Sequence, residues 1–235
     1  NYSHSLFLVW LSNKHVCFPI IKKDNEIKTM CPEATYISYN EKQKEKYSNY
    51  KDLLHNKLSS KEIEKLPSSY DIVGDIIIID LKKEIAKYGK IIAEALLKTS
   101  KNVKTILRKT GEHTGEYRLQ KLKYLFGEKK TEARYKENNV NLLLDVEKVY
   151  FSPRLSSERK RIYQKVCKDE EVLVMFSGCG VYPLVISKNT EAKRILGIEK
   201  NKMAHKYSII NARYLKKKNI KLLCGDVRKE IPKLK

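Results

Sequence analysis

The chain has 235 residues, room for one large or two small domains. Hydrophobic residues make up 41% and charged residues 33%, and 49 Lys+Arg against 28 Asp+Glu leave a net charge of +21. That balance favours a polyanionic partner, with a salt-sensitive and largely sequence-independent contribution to nucleic-acid binding. A Lys-rich composition by itself gives the same sign of charge, so the charge alone does not identify the partner.

The five cysteines (Cys17, Cys31, Cys167, Cys179, Cys224) are odd in number and form no C-x-x-C pair. No zinc or other metal site and no disulfide framework is supported, and reduced intracellular thiols are expected. The opening "SLFLVWL" is too short to span a membrane and lacks the flanks of a signal peptide, so it reads as a strand over Leu6–Leu11. A second strand is expected over Val16–Ile21. A polar stretch rich in Lys, Glu, Tyr and Asn follows. Within it "YKDLLHNKL" has helical spacing and "SSKEIEKL" begins like a capped helix. Residues 1–66 are expected to form an accessory module or arm.

Residues 67–149 read as a small α+β domain. An aliphatic strand, Ile76–Leu81, follows the Gly74-Asp75 punctuation. "KEIAKYGKIIAEALLKT" then places Ile85, Tyr88, Ile91, Ile92, Ala95 and Leu96 at helical spacing. "VKTILRKTG" is a strand with interleaved basic residues, and "YRLQKLKYLFG" is either a helix or an extended segment. "TEARYKENNVNLLLDVEKVYF" predicts a hairpin turning at Asn138-Asn139. Strands, one helix and basic edges together suggest an RNA-binding platform.

Residues 150–235 alternate helix and strand. "SSERKRIYQKVC" is a helix with Ser156 or Ser157 as N-cap. Strands over Val172–Phe176, Arg194–Glu199 and Ile220–Cys224 alternate with helices over Val181–Ser187 and Met203–Lys217. This predicts right-handed βαβ units in a parallel, Rossmann-like α/β sheet. A doubly wound sheet usually has about five or six strands, so the domain is expected to be incomplete at Lys235.

The Gly-x-Gly turn in "FSGCGVYP" follows a strand and precedes a helix, where backbone N–H groups gather and a ligand can approach Gly178 and Gly180 closely. Glu199 ends the next strand, where a carboxylate can accept ribose hydroxyls, and Asp226 ends the third. Pro183 removes the third glycine of the dinucleotide fingerprint, which points to S-adenosyl-L-methionine rather than NAD. Each acid also reads as an ordinary strand-end cap.

The stretches "SYDIVGDIIII", "TGEYRLQKLKYLFGE", "VYFSPRLSSERKRI", "MFSGCGVYP", "GIEKN" and "GDVR" occur in that order. From about Leu66 to Arg228 the chain thereby resembles the archaeal and eukaryotic tRNA (guanine-37-N1)-methyltransferase family, AdoMet-dependent enzymes of Rossmann type. The resemblance implies methyl transfer to N1 of guanosine 37. Glu158 would be the base that removes the N1 proton, and Arg118 the cation at O6. It further implies that Phe176, Gly178, Gly180, Glu199, Lys200, Asn201, Asp226 and Val227 hold S-adenosyl-L-methionine. Tyr150, Phe151, Ser152, Pro153 and Arg154 would line the base pocket. The expected partner is tRNA, through its anticodon stem-loop, with contact at the elbow left open, and a cytoplasmic monomer and no membrane are expected.

Other readings stay open. Glu158 also fits a capping box, and Arg118 an ordinary solvated cation. Val174 stands where the family carries Asp, and Val181-Tyr182 replaces Pro-Phe, so the cofactor loop is a variant. The family's Asn-Pro-Pro-like motif would fall beyond Lys235, so activity is expected of the intact protein rather than of these residues alone. The alternatives are an aminocarboxypropyl transferase of the wybutosine pathway, a non-catalytic RNA-binding homologue, and a methyltransferase for proteins or small molecules.

Overall fold

The computed structural model describes residues 6–10, 18–20, 29, 35–39, 49–215 and 218–234, in two compact units, Asn1–Lys46 and Tyr47–Lys235. In the first unit, β1 (Leu6–Trp10) lies between β2 (Phe18–Ile20) and β3 (Thr35–Tyr39), antiparallel to both. The first two strands fall where they are expected. The third lies in a segment read only as polar, although its Thr, Ile and Tyr residues suit a strand. Cys17 and Cys31 lie outside the described residues, whereas Cys167, Cys179 and Cys224 are free thiols. Among the described residues, no helix is long and apolar enough to cross a membrane.

In the second unit, β4 (Asp71–Val73), β5 (Ile76–Ile79), β6 (Thr105–Thr114) and β7 (Leu119–Gly127) form one sheet in chain order. The β5–β6 pair is parallel and its connection carries α2 (Gly89–Thr99); the β4–β5 and β6–β7 pairs are antiparallel. The segment "YRLQKLKYLFG", open between helix and strand, is therefore the strand β7. Its alternation matches the pleat, and pairing with β6 supplies the backbone bonds a lone segment lacks.

All four isoleucines of β5 are buried, but they face two different cores. Ile77 and Ile79 pack with Ile92 and Leu96 of α2 and with Tyr50, Leu54, Leu58 and Leu66. Of that upstream segment, "YKDLLHNKL" makes only a 3-10 turn at Asp52–Leu54. The capped helix is α1 (Ser60–Glu64), where Ser59 donates from its N–H to Glu62 Oε2 at 2.9 Å. Ile76 and Ile78 join the other core, built with Val140, Leu142, Leu144, Leu184, Val185 and Tyr207. A strand hydrophobic on both faces thus couples the N-terminal half of this unit to its C-terminal half.

The expected hairpin is β8 (Glu132–Glu137) and β9 (Val140–Asp145), turning at Asn138 and Asn139 with φ of 41° and 65°. Two consecutive positive φ angles are the signature of the tight turn that Asn favours. The C-terminal sheet is parallel throughout: β10 (Glu171–Met175), β11 (Arg194–Glu199) and β12 (Ile220–Cys224), in that order. Between them run α4 (Val181–Asn189) and α5 (Lys202–Ala212), and α6 (Val227–Glu230) follows β12. The expected continuation of α5 to Lys217 is not seen, since the helix ends at Ala212 and residues 216–217 lie outside the described set.

One expectation is corrected at α3 (Ser156–Tyr163). Its N-cap is Leu155, with no side-chain capping bond, rather than Ser156 or Ser157. A 3-10 turn over Pro153–Leu155 starts the helical path earlier, because Pro153 is preset for it, so both serines are already inside the helix.

The anchor of α3 is Arg159, which is 2% exposed and donates to both carboxylate oxygens of Glu137, one bond being 2.6 Å. Removing one partner strands a buried charge. Glu137→Ala should therefore lower stability by about 3–5 kcal/mol in urea unfolding, and the double change Glu137→Leu with Arg159→Met should recover most of that loss.

Candidate functional site

The three parallel strands end together, Met175 opposite Ile198 and Glu199 opposite Cys224, so the loops that follow gather on one edge. A cleft of about 580 Å³ opens there, a size suited to a small-molecule ligand. Its first wall is the loop after β10. Phe176, Gly178 and Gly180 adopt φ of 59°, 56° and 86°. A Cβ on Gly180 would come within 2.9 Å of Ser208, so that glycine permits helix packing. A Cβ on Gly178 would meet nothing closer than 3.9 Å, so its bare backbone faces open space. Phe176 is 72% exposed, and Ser177 Oγ is buried with no hydrogen-bond partner among the described residues.

Glu199 braces this loop. Its Oε2 accepts from Gly178 N and its Oε1 from Asn201 N, both at 2.7 Å. Asn201 caps α5 by accepting from Met203 N at 2.9 Å, and donates to Lys148 O at 2.8 Å. Asp226 accepts from Arg228 N at 3.0 Å, capping α6, and from Lys200 Nζ at 2.9 Å. Lys200 also donates to Glu116, and these two carboxylates, Glu116 foremost, hold its pKa above the usual lysine range. Val174, at the family's Asp position, instead packs into an apolar cluster with Ile186, Ala192 and Ile195.

The facing wall comes from the β6–β7 turn and the segment before α3. Arg118, at φ 51°, places its guanidinium 5.8 Å from the Tyr150 ring centroid. His113 meets the same ring edge-on at 5.3 Å, and its Nδ1 bonds Arg118 O at 2.8 Å. Arg118 and His113 thus both contact the Tyr150 ring.

The cleft brings together Arg118, Tyr150, Phe151 and Ser152 with Phe176, Gly178, Glu199, Lys200, Asn201, Asp226 and Val227. Gly180 is not a lining residue, and Pro153 and Arg154 line a second, smaller cavity. Glu158 lines neither cavity: its Oε1 and Oε2 accept from Arg161 at 2.6 and 2.7 Å. Sequence reasoning missed Glu116, Tyr117, Ser177, Tyr182 and the buried Arg159, which all line the cleft. Nothing in "SSERKRI" separates Arg159 from its basic neighbours, because only the hairpin carboxylate marks it as the inward one.

Residues 133–234 match the TRM5/TYW2 methyltransferase domain, and residues 50–131 match the TYW2 N-terminal domain. The tRNA (guanine(37)-N(1))-methyltransferase Trm5b of Pyrococcus abyssi is 39% identical over 163 residues, covering 69% of this chain and 49% of that protein. A tRNA(Phe) (4-demethylwyosine(37)-C(7)) aminocarboxypropyltransferase of Methanocaldococcus jannaschii is 34% identical over 159 residues, covering 68% of this chain and 61% of that protein. Among solved structures, a complex of aTrm5 with tRNALeu superposes with a TM-score of 0.73 at 29% identity, covering 97% of this chain and 69% of that one. The chain spans about half the length of the curated methyltransferases it matches.

The Arg161 guanidinium beside Glu158 holds that carboxyl below its ordinary value of 4.5. A lowered folded pKa means the pair stabilises the fold fully above that ordinary value and loses its effect as pH falls through the lowered one. Arg161→Gln should move the Glu158 titration, followed by carboxyl carbon NMR, back up toward 4.5.

Proposed function

Because the chain belongs to the TRM5/TYW2 methyltransferase family, we propose that its cleft binds S-adenosyl-L-methionine and that the intact protein methylates N1 of guanosine 37 in tRNA. The observation that carries this reading is the joining of two walls in one cleft. Strand-end carboxylates and an open Gly178 backbone form one, and Arg118 beside Tyr150 forms the other.

The residues fit the cofactor. Gly178 leaves room for close approach, Ser177 Oγ is a buried hydroxyl awaiting a partner, and Phe176 offers an exposed ring. Glu199 would take the ribose hydroxyls and Asp226 the adenine amino group. When bound, S-adenosyl-L-methionine supplies a methyl carbon made electrophilic by its sulfonium sulfur.

Guanine N1 is protonated at neutral pH, so a base must remove that proton as the nitrogen attacks. Glu158 is assigned that role, and to act it must give up both bonds to Arg161. Arg118, against Tyr150, stabilises the negative charge that grows on O6. Tyr150, Phe151 and Ser152 shape the base pocket. The +21 charge favours the tRNA backbone, with the platform at residues 67–149 as its docking surface. Of the expected accessory segment 1–66, the part from Tyr50 to Leu66 belongs to that platform's core.

The similarity to an aminocarboxypropyltransferase supports a second reading, transfer of that larger group at the same site. Product mass separates the two. Unmodified tRNA transcripts with G or A at position 37, incubated with the intact protein and labelled S-adenosyl-L-methionine, should gain one methyl on G only. Equal label on both would sink the guanine-N1 reading, and a larger mass gain on tRNA carrying 4-demethylwyosine at position 37 would establish the second. Glu158→Gln should slow single-turnover transfer by about 10²–10⁴-fold with cofactor affinity unchanged, whereas weaker binding at an unchanged rate would refute the base assignment.

A further inference from the structure

Arg154 does not line the cleft to which its motif points. It borders a second cavity of about 220 Å³, whose wall of Tyr150, Phe151 and Ser152 is shared with the cleft. There β4, β6 and the turn before α3 bring one acid and two cations together. Asp71 Oδ1 accepts from Arg154 Nε at 2.6 Å, and Asp71 Oδ2 accepts from Lys109 Nζ at 3.0 Å.

Burial matters in this triad. The Asp71 side chain is 15% exposed and Arg154 is 64% exposed. Burial opposes ionisation of Asp71, but the bonds from Arg154 and then Lys109 outweigh it and keep the carboxyl below its usual range. Two cations on one carboxylate leave a net positive charge at the rim. Asp71 engages only Nε of the guanidinium, so the two terminal nitrogens stay available in a fixed fork, the geometry that suits phosphate oxygens.

We propose that Arg154 and Lys109, aimed by Asp71, form a phosphodiester site for the RNA strand adjoining the nucleotide that enters the cleft. A base seated against one side of the Tyr150–Ser152 wall leaves its neighbouring backbone to run to the other side, where this fork stands. Such a contact sets register on the strand and reads no sequence. The proposal rests on the RNA-methyltransferase reading above.

The test uses the intact protein and labelled anticodon stem-loops in which single phosphodiesters flanking nucleotide 37 are replaced by neutral methylphosphonates. One such replacement should weaken binding to the unaltered protein several-fold and have no further effect on Arg154→Gln. Arg154→Gln should also lower the slope of log affinity against log salt by about 0.7–1, equally for stem-loops with G or A at position 37. Lys109→Gln, which keeps the Arg154–Asp71 bond, should lower the slope likewise, and S-adenosyl-L-methionine titration of each variant reports that the fold is intact. If Arg154→Gln and Lys109→Gln show the full methylphosphonate penalty and an unchanged slope, the triad is only a structural tie and the proposal is overturned alone. If the unaltered protein binds neither stem-loop nor cofactor, the methyltransferase reading falls with it.

Discussion

Much of the C-terminal half hangs on one buried ion pair. Arg159 enters from α3, Glu137 from the end of β8, and together they meet with side chains 2% and 3% exposed. Desolvating two charges is costly, and such a pair is tolerated only when its geometry satisfies both partners. Here the guanidinium meets both carboxylate oxygens and also donates to Ser152 O at 3.0 Å. The rings of Phe151 and Tyr182 flank it at 5.3 and 6.0 Å. The pair therefore sets the direction of α3 and the position of the Phe151–Ser152 wall, and that wall borders both cavities.

Amides do similar work where the hairpin meets the parallel sheet. Asn211, 1% exposed on α5, accepts from Leu143 N at 2.7 Å and donates to Leu143 O and Cys179 O. Asn189 on α4 donates to Asn138 O at 2.8 Å, and Asn138 donates to Ser156 O at 3.1 Å. Backbone groups of β9 and of the loop turns are satisfied by side chains from helices. The Gly178 loop is thus held in place before any ligand arrives, with Glu199 bracing it. Glu199 spends one lone pair on each backbone N–H, and a carboxylate has about four acceptor positions, so it can accept further hydroxyls without losing the loop.

Glu158 is the point of tension. The resemblance of its segment implies a base at this position, yet its carboxylate is taken up by Arg161 on the same helix face, while the adjacent Arg159 turns inward. The capping box that could have explained Glu158 does not form, because Pro153 starts the helical path before the serines. Arg161, not the backbone, is its partner in the free protein. Under the proposed function, Glu158 would be released only by a competing partner for Arg161, a role the phosphates of the proposed RNA substrate would fill.

Local features were legible from residues alone. The alternation of Ile and Val runs with amphipathic stretches marked the parallel sheet, Asn138-Asn139 marked a hairpin turn, and Ser59 with Glu62 marked a helix start, because each depends on neighbours a few residues away. The order of strand-end motifs likewise marked the edge on which the cleft opens. What only the tertiary structure decided involves partners far apart in sequence: Glu137 selecting Arg159 from a basic run, Asp71 drawing Arg154 out of the cleft, and β6 making β7 a strand. A charge or a backbone donor looks the same in sequence whether it faces water or a partner. Burial and the identity of that partner decide its role, and both exist only once the chain has closed on itself.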